Sequence, residues 1–247
     1  MQENESKRHG EKAFDKMMWA KVVAADLVSR LGHDVLFQDV DLVWYRNPLR
    51  YLCLEENCVH DVILANDGSR LQRYGPYMAN TGFYSARGND KTRFLLRSML
   101  HNADMVLSAS SHQQAMAGFL AEHSSLTGLR VNTMTGADFL GGYHYHSRKE
   151  VEFMKDVVRG KRTPYLIHMS WTEASKDKIA FLQQMGCWYV VDECRGEGIL
   201  ATAGKVAAAC CLAKPLIKCH YKDKPSVDQC IDSSAPMFDD KKGRSFW

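Results

Sequence analysis

The sequence predicts an α/β domain, and three observations carry that expectation. Apolar residues recur at helical spacing over 13–31 and stop at Gly32. Short apolar runs read as strands at 34–38, at 61–65 ("DVILA") and at 163–171 ("TPYLIHMSW"). Further helical patterns at 91–102, 112–123, 149–158 and 173–186 alternate with those runs, the signature of helices layered on a sheet.

In order along the chain, a polar leader (1–12) comes before the first helix, and the strand at 34–38 follows directly on Gly32. "YMANTGFYSARGN" (77–89) joins the strand at 61–65 to the helix at 91, and its Asn and Gly read as turn residues. After the helix at 173–186, "CWYVV" (187–191) reads as a last short strand. Beyond it the pattern decays into Ala-rich, Cys-rich and polar sequence. The expected organisation is a leader (1–12), a main domain (13–192) and a Cys-rich C-terminal extension (193–247), with no internal repeat.

Composition removes several classes of function. The 247 residues are 45% hydrophobic and 25% charged, ordinary for a globular chain able to bury a core. A net charge of +3, with no basic stripe interleaved with aromatics, gives no footprint for nucleic acid. No apolar run reaches the roughly 18 residues a membrane span needs, and the N-terminal residues lack the apolar core of a signal peptide. Six of the eight cysteines (Cys187, Cys194, Cys210, Cys211, Cys219 and Cys230) crowd the last quarter, and Cys53 and Cys58 form a pair in "CLEENC". An even, clustered count reads as a disulfide framework and an oxidising compartment.

The chemistry concentrates in "DVLFQDVDLVWYRNP" (34–48), where Asp39 and Asp41 stand between two apolar runs. Residues i and i+2 of an extended segment point to one side, so the two carboxylates converge. Their mutual repulsion in apolar surroundings is relieved by a divalent cation, and Mg²⁺ or Mn²⁺ prefers such oxygen ligands. Two enzyme classes use this pattern. A nucleotide-sugar glycosyltransferase places D-x-D and its metal on the donor diphosphate. A haloacid-dehalogenase-type phosphatase ends an apolar strand in D-x-D-x-[TV], which "DVDLV" matches. The phosphatase also needs an acidic pair after a late strand, and Asp239-Asp240 has no strand before it. "GEGILATAGK" (196–205) is spaced wrongly for a phosphate-binding loop, and Val206 stands where Ser or Thr is required.

Three segments together resemble glycosyltransferase family 77. "GHDVLFQDVDLVWYRNPL" (32–49) resembles its metal-site signature, "ANTGFYSAR" (79–87) its N-[ST]-G-F segment, and "IHMSWTEASKDKIAFLQQMGCW" (167–188) its late H-x-N-W…K…G-x-W segment. The resemblance implies a GT-A, Rossmann-like sheet, a nucleotide-sugar donor such as a UDP-sugar, a glycan or glycoprotein acceptor, retention of anomeric configuration and a Golgi-lumenal setting. By the same resemblance Asp41 ligates Mn²⁺ (or Mg²⁺), Asp39 contacts the donor ribose or the metal shell, and His168 completes the metal or diphosphate site. Asn80, Thr81 and Gly82 would line the donor sugar, glycine allowing a close backbone approach. Lys178 would counter diphosphate charge, and Trp171 and Trp188 would stack on sugar rings.

Departures from the family pattern shape the remaining expectations. The family carries an Asp-Gln pair on the helix lining the reaction centre. Here "SHQQAM" (111–116) puts His112 where the acid is expected, beside Gln113, with Gln114 facing substrate. The late motif carries Ser170 in place of its usual Asn. Only one helix precedes Asp39, so the first βα unit of the GT-A domain is expected to be missing. A degenerate glycosyltransferase-like domain that binds glycan or a partner is the alternative those departures support.

Overall fold

A computed structural model of the chain describes residues 12–109, 111–158, 160–172, 175–191, 194 and 210–214. They fall into two compact units, Met1–His144 with Thr163–Trp171 and Tyr145–Arg162 with Thr172–Trp247. In chain order the elements are α1 (Lys12–Arg30), β1 (Val35–Gln38), β2 (Leu42–Trp44), α2 (Leu49–Leu52), α3 (Glu55–Cys58) and β3 (Val62–Asn66). There follow β4 (Ala79–Ala86), α4 (Asp90–His101), α5 (Ala103–Ser108), α6 (His112–Thr127), β5 (Val131–Thr133) and β6 (Phe139–Leu140). The remainder are α7 (Gly142–His146), α8 (Val151–Val158), β7 (Leu166–His168) and α9 (Ser175–Gln184).

The first unit holds two small mixed sheets. One is ordered β1-β4-β3-β5, with β4 antiparallel to both neighbours and β3 parallel to β5. The other is ordered β2-β7-β6, with β2 and β7 antiparallel and β6 and β7 parallel. The α/β class therefore holds, although the sheets mix strand directions. β3 shows why "VILA" is apolar throughout. Val62 and Leu64 join a core with Met18, Val22 and Ala25 of α1, Leu95 and Met99 of α4, and Met116 and Leu120 of α6. Ile63 and Ala65 point the other way, into a cluster with Phe83, Phe139 and Leu166. A strand buried on both faces loses the alternation of a half-exposed one.

Two segments differ from their sequence expectation. Residues 79–86 form the eight-residue strand β4, in the middle of its sheet, rather than a connection. Asn80 and Gly82 are turn residues by propensity, but burial, the pairing of Asn80 with Ala65 and the Asp39 N–H bond to the Gly82 carbonyl override that preference. The run at 163–171 shrinks to β7, and beyond its end Trp171 adopts a left-handed backbone (φ 66°).

In the second unit the Tyr145 ring lies on Phe181 of α9, with centroids 4.0 Å apart, and His146 Nε2 meets Thr172 Oγ1 at 2.8 Å. Instead of a strand at 187–191 there is a single bridge, Val190 to Cys211. Cys194 and Cys210 form a disulfide, while Cys53, Cys58 and Cys211 are free thiols. The expected framework is thus one bridge among the described residues. Cys219, Cys230 and Asp239-Asp240 lie outside them.

Candidate functional site

The D-x-D segment sits at the seam between the two sheets of the first unit. β1 ends at Gln38, paired with Phe83, and the Asp39 N–H donates to the Gly82 carbonyl at 2.7 Å. β2 begins at Leu42, paired with His168, and the Met169 N–H donates to the Asp41 carbonyl at 3.0 Å. Asp39 is thereby fastened to β4, and Asp41 to the end of β7. The intervening residues form a bend rather than extended strand, and Val40 is 103% exposed. The two carboxylates still converge, because each is anchored to a different sheet and Val40 turns outward between them.

The register of β2 against β7 delivers the third group. His168 Nε2 lies 3.3 Å from Asp41 Oδ1 and 3.9 Å from Asp39 Oδ2. One ligand atom from each of Asp39, Asp41 and His168 lies within 4.8 Å of the other two. His168 is buried, while both aspartates keep partial access to solvent. A cation held here would have protein on one side and room for an outside ligand on the other. Two carboxylate oxygens and one imidazole nitrogen suit Mn²⁺ better than Mg²⁺, which favours oxygen throughout.

Two neighbours complete the centre. Lys21, on the buried side of α1 with Met18 and Ala25, places Nζ 2.6 Å from Asp39 Oδ1 and offsets part of the paired negative charge. Gly82 leaves the space that His168 occupies. A Cβ at Gly82 would stand 2.1 Å from His168 Cε1 and 2.9 Å from Asp39 Oδ2. The bareness of the glycine admits the imidazole and the carboxylate.

Behind Gly82 lies a buried polar chain. Asn80 Oδ1 accepts from the Gly82 N–H at 2.8 Å, and Asn80 Nδ2 donates to Asp67 Oδ1 at 2.8 Å. Gln113 Nε2 donates to the same Asp67 oxygen at 3.1 Å, and its carbonyl accepts from the Thr81 N–H at 3.3 Å. Asn80, Thr81 and Gln113 are therefore brought together. His112 lies beside this chain, its buried ring next to the Thr81 backbone, with Nδ1 3.3 Å from Met18 Sδ. Burial, with the charge of Lys21 adding to it, pushes the His112 pKa down to about 3, so the ring is neutral. That placement sets the ring between Met18 of α1 and the Thr81 backbone, near Lys21. Gln114 is exposed on the far side of α6 from the buried face.

Trp171 is half-buried, with Tyr143 edge-on at 5.7 Å, and Ser170 Oγ accepts from the Gly142 N–H at 2.9 Å. Lys178 and Trp188 belong to the second unit, where the Trp188 indole N–H donates to the Val190 carbonyl at 2.7 Å. Lys21 and Asp67 were missed in the sequence. Lys21 had a signal: a lysine on the apolar stripe of a helix needs an anion to face. Asp67 had a weaker one, an acid placed directly after a wholly apolar strand.

The family model for nucleotide-diphospho-sugar transferases matches residues 1–182. An uncharacterized Arabidopsis thaliana protein, At1g28695, is 31% identical over 133 residues, covering 53% of this chain and 37% of the relative. The Arabidopsis thaliana beta-arabinofuranosyltransferase RAY1 is 30% identical over 199 residues, covering 72% of this chain and 35% of the relative. The chain thus spans roughly a third of the length of these curated relatives. No solved structure matches it.

Proposed function

Because the chain belongs to the nucleotide-diphospho-sugar transferase family, we propose that it moves a sugar from a UDP-sugar to a hydroxyl of a glycan or glycoprotein, with a divalent metal and with retention of configuration. The observation that carries this reading is the convergence of Asp39, Asp41 and His168 on one spot, beside solvent, at the seam of two sheets. The family and the glycosyltransferase relative supply the reaction class. The GT-A assignment, membership of family 77 and the expected Golgi or secretory lumen belong to the same proposal, the last supported by the Cys194–Cys210 disulfide.

In this reading Asp39, Asp41 and His168 hold Mn²⁺, which when bound would neutralise the charge of the leaving diphosphate. Lys21 keeps Asp39 oriented and lowers the cost of two adjacent carboxylates. Gly82 keeps the imidazole where it can ligate. The acceptor hydroxyl attacks from the face that the leaving group vacates and passes its proton to the departing phosphate. No described residue is needed as a nucleophile.

The alternative of a binding domain without catalysis rests on α6, whose first turn carries no carboxylate. Incubation with UDP-galactose, UDP-xylose and UDP-β-L-arabinofuranose separates the two readings. Mn²⁺-dependent release of UDP from at least one donor, absent in Asp41→Asn, supports the transferase. Release from none of them, by a chain that still binds UDP, supports the binding domain.

A further inference from the structure

Asp67 is the buried charge that the reading so far leaves unused. It follows β3, is 5% exposed, and has no ion pair among the described residues. An ionised carboxylate out of water is costly unless it is fully hydrogen-bonded. Asp67 receives two neutral amides, Asn80 Nδ2 and Gln113 Nε2, and both converge on Oδ1. Among the described residues no side chain donates to Oδ2. Bracing Asn80 and Gln113 requires only an acceptor oxygen, which an asparagine would provide without the charge. A carboxylate with one oxygen clamped and the other uncommitted is arranged to receive hydrogen bonds from something else.

Its location says what that would be. The Asn80 side chain holds Asp67 at one end and the Gly82 N–H at the other, and the α-carbon of Gly82 faces His168 and Asp39. Asp67 is thus one amide away from the metal-ligand cluster. The adjoining wall is aromatic. Gly68 has φ +74°, a Cβ there would stand 2.4 Å from Tyr143 Cβ, and Tyr143 in turn packs edge-on against Trp171. Trp171 is held in the left-handed region, at φ 66°. Non-glycine residues persist there only where their surroundings over-determine them, often at ligand sites. A carboxylate for hydroxyl groups beside an aromatic wall for C–H faces matches the two-sided chemistry of a pyranose or furanose ring.

We propose that Asp67 contacts the transferred sugar directly, its Oδ2 accepting hydrogen bonds from ring hydroxyls. In doing so it supplies, from the end of β3, the carboxylate that α6 lacks, and it sets which hydroxyl stereochemistry the site accepts. Gln113 and Asn80 are the positioning residues that aim it. This inference rests on the glycosyltransferase reading.

The test is calorimetric titration, in Mn²⁺, of UDP and of UDP-galactose, UDP-xylose and UDP-β-L-arabinofuranose into the wild type, Asp67→Asn and Gln113→Leu. The quantity read is the affinity for the best-bound UDP-sugar relative to UDP. Asn at 67 keeps the Oδ1 acceptor and reverses only the chemistry at Oδ2, so UDP affinity should stay within about twofold while the ratio falls about tenfold. Gln113 is half-buried, and its replacement keeps the charge but loosens the clamp, so the ratio should fall by a smaller factor. Should Asp67→Asn show no cooperative thermal transition, Gln113→Leu alone decides. A ratio unchanged within about twofold in the folded variants overturns the assignment of Asp67 and leaves the transferase reading standing. Absence of Mn²⁺-dependent UDP binding in the wild type overturns that reading, and this proposal with it.

Discussion

Replacing Gly82 with alanine perturbs the metal-ligand cluster by a single methyl group. Gly82 lies in β4 at a backbone conformation open to any residue, so alanine costs nothing in φ and ψ. The whole effect comes from the added Cβ, which would stand 2.1 Å from His168 Cε1 where ordinary contact begins near 3.4 Å. The two must therefore part by more than roughly an ångström, whereas metal–ligand distances tolerate about 0.2 Å. Gly82 sits where β4 bulges away from β3, tied to the bend after β1 through its carbonyl, so the displacement is shared between the imidazole and this stretch of backbone. Losing one of three ligands should cost Mn²⁺ affinity at least the roughly 10- to 100-fold that second-shell changes cost. Overpacking should lower stability by about 1–3 kcal/mol. Titration of Mn²⁺ followed by the electron paramagnetic resonance of the free ion, with a thermal melt alongside, reads both quantities. A Gly82→Ala protein that binds Mn²⁺ within about twofold of the wild type would refute the role given to Gly82 and the ligation by His168.

The other predictions concern charge. Lys21→Met removes the cation paired with Asp39, so the metal-free protein should lose about 1 kcal/mol. Mn²⁺ should then raise the melting temperature of that variant more than that of the wild type, and equal shifts would count against Lys21 as the balancing charge. Asp61 is buried, which pushes its carboxyl up, but the Arg130 N–H, the Asn89 amide and the charges of Lys91 and Arg130 outweigh burial and hold its pKa below the usual value. A depressed folded pKa means stability that is present above the unfolded value, near 3.9, and lost as pH falls through the folded one. Asp61→Asn should therefore flatten the acid limb of a stability–pH curve between about pH 5 and 3, and an unchanged limb would show that Asp61 does not drive it.

Local chemistry was legible in the sequence where it was carried by neighbours. Asp39 and Asp41 announced themselves because two acids inside apolar sequence need a reason within that stretch. Placing His168 beside them depends on β2 pairing with β7 so that Leu42 faces His168, a long-range register that only the motif resemblance could suggest. Gly82 was read as a residue making room for the donor, and its nearness to His168 and Asp39 was hidden because those neighbours come from β7 and from the bend after β1. The strand β4 was hidden by Asn and Gly, whose turn preferences lost to burial on both faces. His112 occupied the expected place of an acid in the motif, yet helix periodicity turns it toward Met18 while Gln113 takes the polar side. Asp67 and Lys21 gain meaning only from contacts across the fold, Asp67 with β4 and α6 and Lys21 with the bend after β1. The cysteine count pointed to disulfides without indicating which thiols would pair, since pairing depends on the path of the chain between them.

The most direct test of the metal-ligand cluster is calorimetric titration of UDP, with and without Mn²⁺, into the wild type and Asp41→Asn. Binding that requires both Mn²⁺ and Asp41, with the melting temperature of the metal-free variant unchanged, is the expected result. Equal UDP affinity with and without the metal, or in a folded Asp41→Asn protein, would contradict the assignment of Asp39, Asp41 and His168 as the donor-diphosphate site.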